Sequence, residues 1–322
     1  MPVESVVSDP VPNSRRKVFF GLFVFPMLIA VTMAVLLSGV VLITHEEETP
    51  ESLITAIKIG APSKRWQKAF ELSNELNREG GMIRSAGIMN EVIHILNDKE
   101  HYDAKTRAYM AMALGRFGKP EAELALRKVL RETDDAEDPK LALFLMWSIG
   151  NLRNPDVPPH LYPPPQGGRK LQGTDTPSPL MGEGRDGGAA QDVARFLESP
   201  HDDLRKTAAY VLGVLGDKKL IPALERALED SIIDVRWNAA LGLARLGDDS
   251  GGEILLEMLD RNRLRETYQM NEAEIERAMV NAAKGLGLIR YPRALSTLQS
   301  MSKTDPNLKV RQATLSALEQ YG

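Results

Sequence analysis

Two hydrophobic patterns divide this chain. From Val18 to Thr44 it runs 27 residues without a charge, interrupted only by the hydroxyls of Thr32, Ser38 and Thr44. At about 1.5 Å per residue a helix of that length reaches roughly 40 Å, more than the roughly 30 Å hydrocarbon core of a bilayer. Every face of it is apolar, which predicts a membrane-spanning helix over 18–44 and not the buried helix of a water-soluble domain. Past residue 49 the pattern becomes amphipathic. Leu204, Ala208, Val211 and Leu215 recur at intervals of three and four, with Leu212 beside them, so they share one helical face.

That amphipathic pattern repeats. Asp203 to Asp217 maps onto Asp234 to Asp248, 31 residues later. A further copy runs through Ala278, Met279, Ala282, Ala283, Leu286 and Ile289, and a last one covers Val310 to Gly322. Upstream, Arg107 to Gly118 and Ala142 to Arg153 fit the same frame, and Ser63 to Asp98 fits it more weakly. Each copy reads as the inner helix of a helical pair. Asp203 or Asp234 is expected to cap its start, the Ala-Ala step to admit a close neighbour, and Gly216 or Gly247 to stop it in the left-handed conformation. Outer helices such as Ile221 to Leu228 lie between the copies, with Pro222 tolerated in the first turn.

The helix-end positions Gly118, Arg153, Gly216, Gly247, Arg290 and Gly322 are separated by 35, 63, 31, 43 and 32 residues. The long second interval coincides with Asp156 to Gly188, too rich in Pro and Gly to continue a helix, and predicts a disordered or polyproline-like excursion. Its Pro158-Pro159 and Pro163-Pro164-Pro165 read as a tolerated surface loop in preference to a ligand for a proline-binding module. Thr176 to Arg185 resembles a translated dispersed bacterial repetitive element. The fourth interval places a surplus around Arg261 to Glu274, predicting a longer outer helix or a polar loop.

The copies Asp203 to Gly216 and Asp234 to Gly247 resemble bacterial HEAT-like repeats of the phycobilisome-lyase type, whose short form reads D-V-R-x-x-A-A-x-A-L-x-x-L-G. The resemblance covers residues 104–322, and more weakly 63–98. It implies an all-α, ARM-type superhelix of stacked helical pairs, and it leaves activity open because such arrays serve unrelated purposes. The expected organisation is a cytoplasmic tail (1–17), a signal anchor (18–44), N-terminal repeats (49–155), the insertion (156–188) and C-terminal repeats (189–322).

Flanking charge orients the anchor. Arg15, Arg16 and Lys17 precede the run and His45-Glu46-Glu47-Glu48 follow it, which predicts a cytoplasmic N-terminus and an extracytoplasmic array. The run is too long for a cleaved signal peptide and lacks a small-residue cleavage site. Thr49-Pro50-Glu51 opens a helix almost at once, so the tether is short.

Composition then removes function classes. A net charge of -4 argues against a nucleic-acid binder, and the absence of cysteine removes disulfides and thiolate chemistry. The hydroxylase that resembles such arrays, deoxyhypusine hydroxylase, holds iron through several His-Glu dipeptides. Here the only one is His45-Glu46, outside the repeats. His94 reads as a partly buried structural residue and His201 as a turn residue. No phosphate loop, G-x-S-x-G or H-E-x-x-H is present. No catalytic residue, metal site or cofactor is therefore expected.

Partner binding is the remaining chemistry. Arg205 and Arg236, with Arg107 and Arg311, occupy one repeat position, suited either to bridging adjacent repeats or to forming a ligand-binding ladder. Trp237 aligns with Lys206 and Gln312, a position polar in other copies, and is the candidate exposed anchor. Trp66 and Trp147 read as core. The sequence thus predicts a non-enzymatic scaffold or adaptor anchored in a bacterial inner membrane, binding a membrane-associated protein as an accessory subunit of a complex. A cofactor-handling enzyme and an envelope spacer are the alternatives.

Overall fold

The computed structural model describes residues 20–44, 49–77, 85–153 and 188–322. The chain divides into two units, 1–49 and 50–322. In the first, a π turn at Phe20–Val24 leads into the α-helix Phe25–Thr44. Pro26 has no N–H to return to the preceding turn, and the widened turn lies where the regular ladder lacks that bond. Thr32 donates its hydroxyl to the Leu28 carbonyl at 2.8 Å, so this polar group is satisfied within the helix. One helix here is long and apolar enough to cross a membrane, by length and composition. The expected tail, 1–17, lies outside the described residues.

Among its described residues the second unit contains helices and no strand. Seven outer and inner helices alternate: Pro50–Ile59 with Pro62–Asn77, Ala86–Asn97 with Ala104–Leu114, Pro120–Glu132 with Pro139–Arg153, Gly188–Ala194 with Asp202–Leu215, Ile221–Ala227 with Ile233–Leu246, Gly252–Glu257 with Glu272–Leu288, and Leu295–Thr304 with Leu308–Glu319. Local chemistry sets many of their ends. Pro50, Pro62, Pro120 and Pro139 each open a helix where their missing N–H is harmless. Asp103 caps the Thr106 N–H at 3.0 Å, and Asn271 forms a capping box with Glu274.

Asp203 and Asp234 do not cap. Their helices begin at Asp202 and Ile233, so both carboxylates sit inside the first turn, beside the positive end of the helix dipole. Lys206 lies 2.8 Å from Asp203 and 3.7 Å from Asp234, tying neighbouring inner helices together. The helix ends keep register to the residue: Gly118, Gly216, Gly247 and Arg290 have φ of 59, 75, 78 and 49°. After Gly247 the Asp248 N–H closes on the Leu243 carbonyl at 3.0 Å, completing a Schellman motif.

The inner helices pack on one another in an unbroken file. Small residues three positions before the helix-end landmark bring them close. A Cβ on Gly213 would lie 2.5 Å from the Cα of Gly242, and one on Gly287 would lie 2.8 Å from the Cα of Ala317. Glycine at these crossings therefore reflects backbone approach, beyond what the Ala-Ala steps supply.

The predicted excursion, 156–188, lies outside the described residues except for Gly188, which opens the helix Gly188–Ala194. Across it the stack is locked by polar links. Asp192 accepts from Arg127 Nε at 2.8 Å and Arg131 Nε at 2.7 Å, and Arg195 Nη2 donates to the Leu130 carbonyl at 2.6 Å. Burial pushes the Asp192 carboxyl up, but the two guanidinium groups outweigh it and hold its pKa below the usual carboxylate range. The surplus after Gly247 takes neither expected form. It folds as a separate helix, Arg261–Glu266, capped by Asp260, followed by a turn through Gln269 at φ 53°.

Candidate functional site

The repeat arginines lie at the joints between pairs. Arg205 Nη1 donates to the Ser199 carbonyl at 2.9 Å, Arg236 Nη1 to the Asp230 carbonyl at 2.6 Å, and Arg311 Nη1 to the Asp305 carbonyl at 2.6 Å. In each case the acceptor stands six residues earlier, on the turn that leads into the arginine's own helix. Arg107 instead donates from Nε to the Leu96 carbonyl at 2.8 Å. Arg205 also reaches the next pair, with Nε 2.7 Å from Asp230. Asp230 in turn caps the Ile232 N–H at 2.8 Å. Arg205 bridges to the next pair with all three of its guanidinium nitrogens engaged, whereas Arg236 donates from Nη1 to the Asp230 and Ser231 carbonyls of the turn within its own pair.

The copy ending at Arg290 has Met279 at the arginine position. There the extra helix supplies the missing guanidinium: Arg261 Nη2 donates to Asp305 at 2.8 Å, as Arg205 does to Asp230. The extra segment has a second consequence. Its Tyr268 meets Trp237 edge to face at a centroid distance of 5.4 Å, and Trp237 is 2% exposed. The expected exposure of Trp237 is therefore corrected. The equivalent Lys206 is itself buried, and at Trp237 the extra segment adds Tyr268 against the ring.

The open side of the inner file carries different residues. Positions thirteen, nine, six and two before each helix-end landmark share one helical face. On the first pairs that face is aromatic. Trp66 and Phe70 pack on Tyr109 at 6.5 and 5.2 Å, and Tyr109 packs on Phe144 at 5.8 Å, linking three successive inner helices. Lys105 Nζ stands 3.1 Å from the Trp66 ring centroid, a cation–π contact. Trp66 is half-buried and packs against the hydrophobic core, as expected, whereas Trp147 is half-buried, short of the burial expected of it. Continuing along the file, Tyr210 lies with its ring 5.7 Å from the Arg245 guanidinium.

Arg245 is exposed to solvent, yet the surrounding protein desolvates it and pulls its pKa below arginine's ordinary value, an effect that Tyr210 opposes. The same crowding pushes the Tyr210 phenol up to about 12, with Arg245 acting in the other direction. Beyond Arg245 the open face turns polar and charged, through Arg277 and Lys284, both exposed.

Elsewhere, His94 is exposed, not partly buried as expected. His201 occupies the turn before Asp202–Leu215, with its N–H on Ser199 Oγ at 3.3 Å. His45 and His160 lie outside the described residues. Among the described residues no three His, Asp or Glu side chains gather as a metal site would require.

Stacked helical pairs joined by repeating polar links define a helical-repeat protein. A family model for HEAT repeats matches residues 192–270. A search of curated proteins gives no match. Among solved structures, the complex of CpcE and CpcF of phycocyanin lyase from Nostoc sp. PCC7120 is similar with a TM-score of 0.51 at 17% identity, covering 87% of this chain and 97% of that one. Human deoxyhypusine hydroxylase is similar at 0.32 and 19% identity, covering 84% of each chain. A designed armadillo repeat protein follows at 0.37 and 13%, covering 85% of this chain and 100% of its own. At these identities the likeness is one of fold, and the Nostoc structure carries it.

Proposed function

We propose that this chain is a membrane-anchored helical-repeat adaptor, without catalytic activity of its own, that binds another protein on the open face of its inner helices. The observation that carries the reading is that face. Trp66, Phe70, Trp147 and Tyr210 stand half-buried along it, with Tyr109 and Phe144 buried between them. Large half-buried rings are the side chains that anchor protein interfaces. The similar Nostoc structure is itself a complex of two proteins, CpcE and CpcF.

The apolar run supplies location. With Arg15, Arg16 and Lys17 on one side and Glu46, Glu47 and Glu48 on the other, the N-terminus faces the cytoplasm and the repeats work outside a bacterial inner membrane. Few residues separate the run from Pro50, so partners in or on the same membrane meet the repeats at raised effective concentration. Retrieval of tagged protein from detergent extracts tests this. Wild type is expected to bring down a membrane partner that the double variant Trp147→Ala, Tyr210→Ala loses. A solitary wild-type chain, or iron or a chromophore band in the purified protein, would overturn it.

A further inference from the structure

We infer that the inner helix Leu308–Glu319 is a docking surface for a second copy of this chain, met antiparallel across a two-fold axis beside Gln312. The surface is a different row of positions from the open face, and its use does not depend on the adaptor reading. Within the file each inner helix receives the next on a fixed row. A Cβ on Gly213 would lie 2.5 Å from the Cα of Gly242, and one on Gly242 would lie 3.5 Å from the Ala209 carbonyl oxygen. Lys206 reaches Asp234 at 3.7 Å, and Asn238 Nδ2 donates to the Lys206 carbonyl at 3.0 Å. Lys206, Ala209 and Gly213 stand ten, seven and three before the helix-end landmark, spacings that place them on one helical face.

Where an inner helix follows, this row is small and covered. Three before the landmark stand Gly115, Gly150, Gly213, Ala244 and Gly287, every one buried. Seven before it, Ala209, Ala240 and Ala283 are buried too. On Leu308–Glu319 the row reads Gln312, Leu315 and Glu319, with Leu308 one turn earlier. All four are exposed, Leu308 by 68% and Leu315 by 51%. Glu319 in the place of glycine shuts out the close backbone crossing by which the file is built. An outer face left to water is ordinarily polar in such arrays. Two bare leucines on one side mark this face as one that another surface covers.

A second copy fits because the row complements itself. Leu308 and Leu315 are seven residues apart, about 10 Å along the helix axis. A two-fold axis through their midpoint sets Leu308 of one copy on Leu315 of the other, and the reverse, as an isologous contact requires. Arg311 and Gln312 flank that midpoint. Arg311 is held by the Asp305 carbonyl, which leaves Gln312. Its side chain makes no hydrogen bond among the described residues, and a neutral amide, both donor and acceptor, can pair with its own counterpart. Opposed helix directions also bring the exposed Lys309 end of each copy toward the Glu319 end of the other. A parallel arrangement would set like charges together.

The test uses full-length protein in detergent micelles. Light scattering is expected to give two chains per particle. The double variant Leu308→Glu, Leu315→Glu should weaken association about a hundredfold or more and leave single chains, with helical circular dichroism and thermal midpoint as in wild type. The sequence has no cysteine, so cross-linking gives an independent measurement. Under oxidation Gln312→Cys should link two copies about fivefold faster or more than Arg226→Cys, placed on the exposed side of an outer helix, and adding Leu308→Glu should abolish the difference. Single chains for wild type, a dimer that survives both glutamates, or equal linking of the two cysteine variants would overturn the inference. So would a solitary chain that retrieves a different protein through Leu308 and Leu315. Retrieval of a partner through Trp147 and Tyr210 is expected to be unchanged in the double glutamate variant, so the adaptor reading and the second-copy reading fail separately.

Discussion

Arg205 and Arg245 stand on successive inner helices and meet opposite fates. Arg205, eleven residues before its landmark glycine, turns into the joint and is bound by Ser199 and Asp230. Arg245, two residues before its own, turns to the open side and finds a tyrosine ring. The repeat thus separates two tasks by register. The joint's donors and acceptors are satisfied, so its residues contribute to stability, whereas the exposed members of the other face contribute little to it. If that division holds, equal substitutions on the two sides will have unequal costs.

The sharpest form of the comparison pairs two tryptophans. Trp237 is sealed under Tyr268, so Trp237→Ala leaves a large cavity and should destabilise the protein by about 4 kcal/mol. Trp147 is half open, and Trp147→Ala should cost about 1 kcal/mol. Urea or thermal unfolding measures both. Similar losses for the two would mean that the open face is structural after all.

Arginine gives the next contrast. Arg205→Ala removes hydrogen bonds to a carboxylate and a carbonyl and strands Asp230, which is mostly buried; a loss of about 2 kcal/mol is expected. Unfolding of this variant beside Arg245→Ala makes the comparison within one residue type. A loss under about 0.5 kcal/mol for Arg205→Ala would remove the joint's claim to importance.

Much of this division was legible in the sequence, for a physical reason. Several helix stops recur because a left-handed residue ends an inner helix abruptly: Gly118, Gly216, Gly247 and Arg290 prove left-handed, while Leu308–Glu319 ends at Gln320 with φ −77°. The bridging use of Arg205 was one of the two readings its repeat position allowed. Trp237 was misplaced because alignment of the copies shows which residue types share a position, and a polar match such as Lys206 is itself buried. It does not show that Tyr268 of the extra segment packs on the ring. Trp147 was misplaced in the opposite sense, since a lone aromatic in an apolar helix carries no mark of which side it faces. That mark lies in the offsets of thirteen, nine, six and two from the landmark, which would have put Tyr109, Phe144, Trp147, Tyr210 and Arg245 on one face.

Acid should expose the joints before it touches the open face. Burial pushes Asp192 and Asp230 up, but Arg131 and Arg127 for the first, and Arg205 with the Ile232 N–H for the second, hold both below the usual carboxylate value. A carboxyl whose folded pKa is depressed stabilises the fold fully above its unfolded pKa of about 3.9, and loses that contribution as pH falls through the folded value. The melting temperature is therefore expected to stay level down to about pH 5 and to fall below about pH 4. Asp192→Asn should start lower and fall less steeply. An unchanged acid limb in that variant would show that its ion pairs do not stabilise the joint between Pro120–Glu132 and Gly188–Ala194.

The smallest effect is the most discriminating. Arg245→Ala removes a cation that donates to nothing within the described residues and leaves no carboxylate stranded, so stability should change by less than about 0.5 kcal/mol. The tyrosine beside it provides an independent reading. Arg245 favours the ionised phenol, so its removal should raise the Tyr210 pKa further, in spectrophotometric titration against a Tyr210→Phe control. A variant that melts as wild type does and shifts the phenol upward would place Arg245 outside the structural joint. A clear drop in melting temperature would instead place it with Arg205, and the two faces of the inner helices would no longer differ in kind.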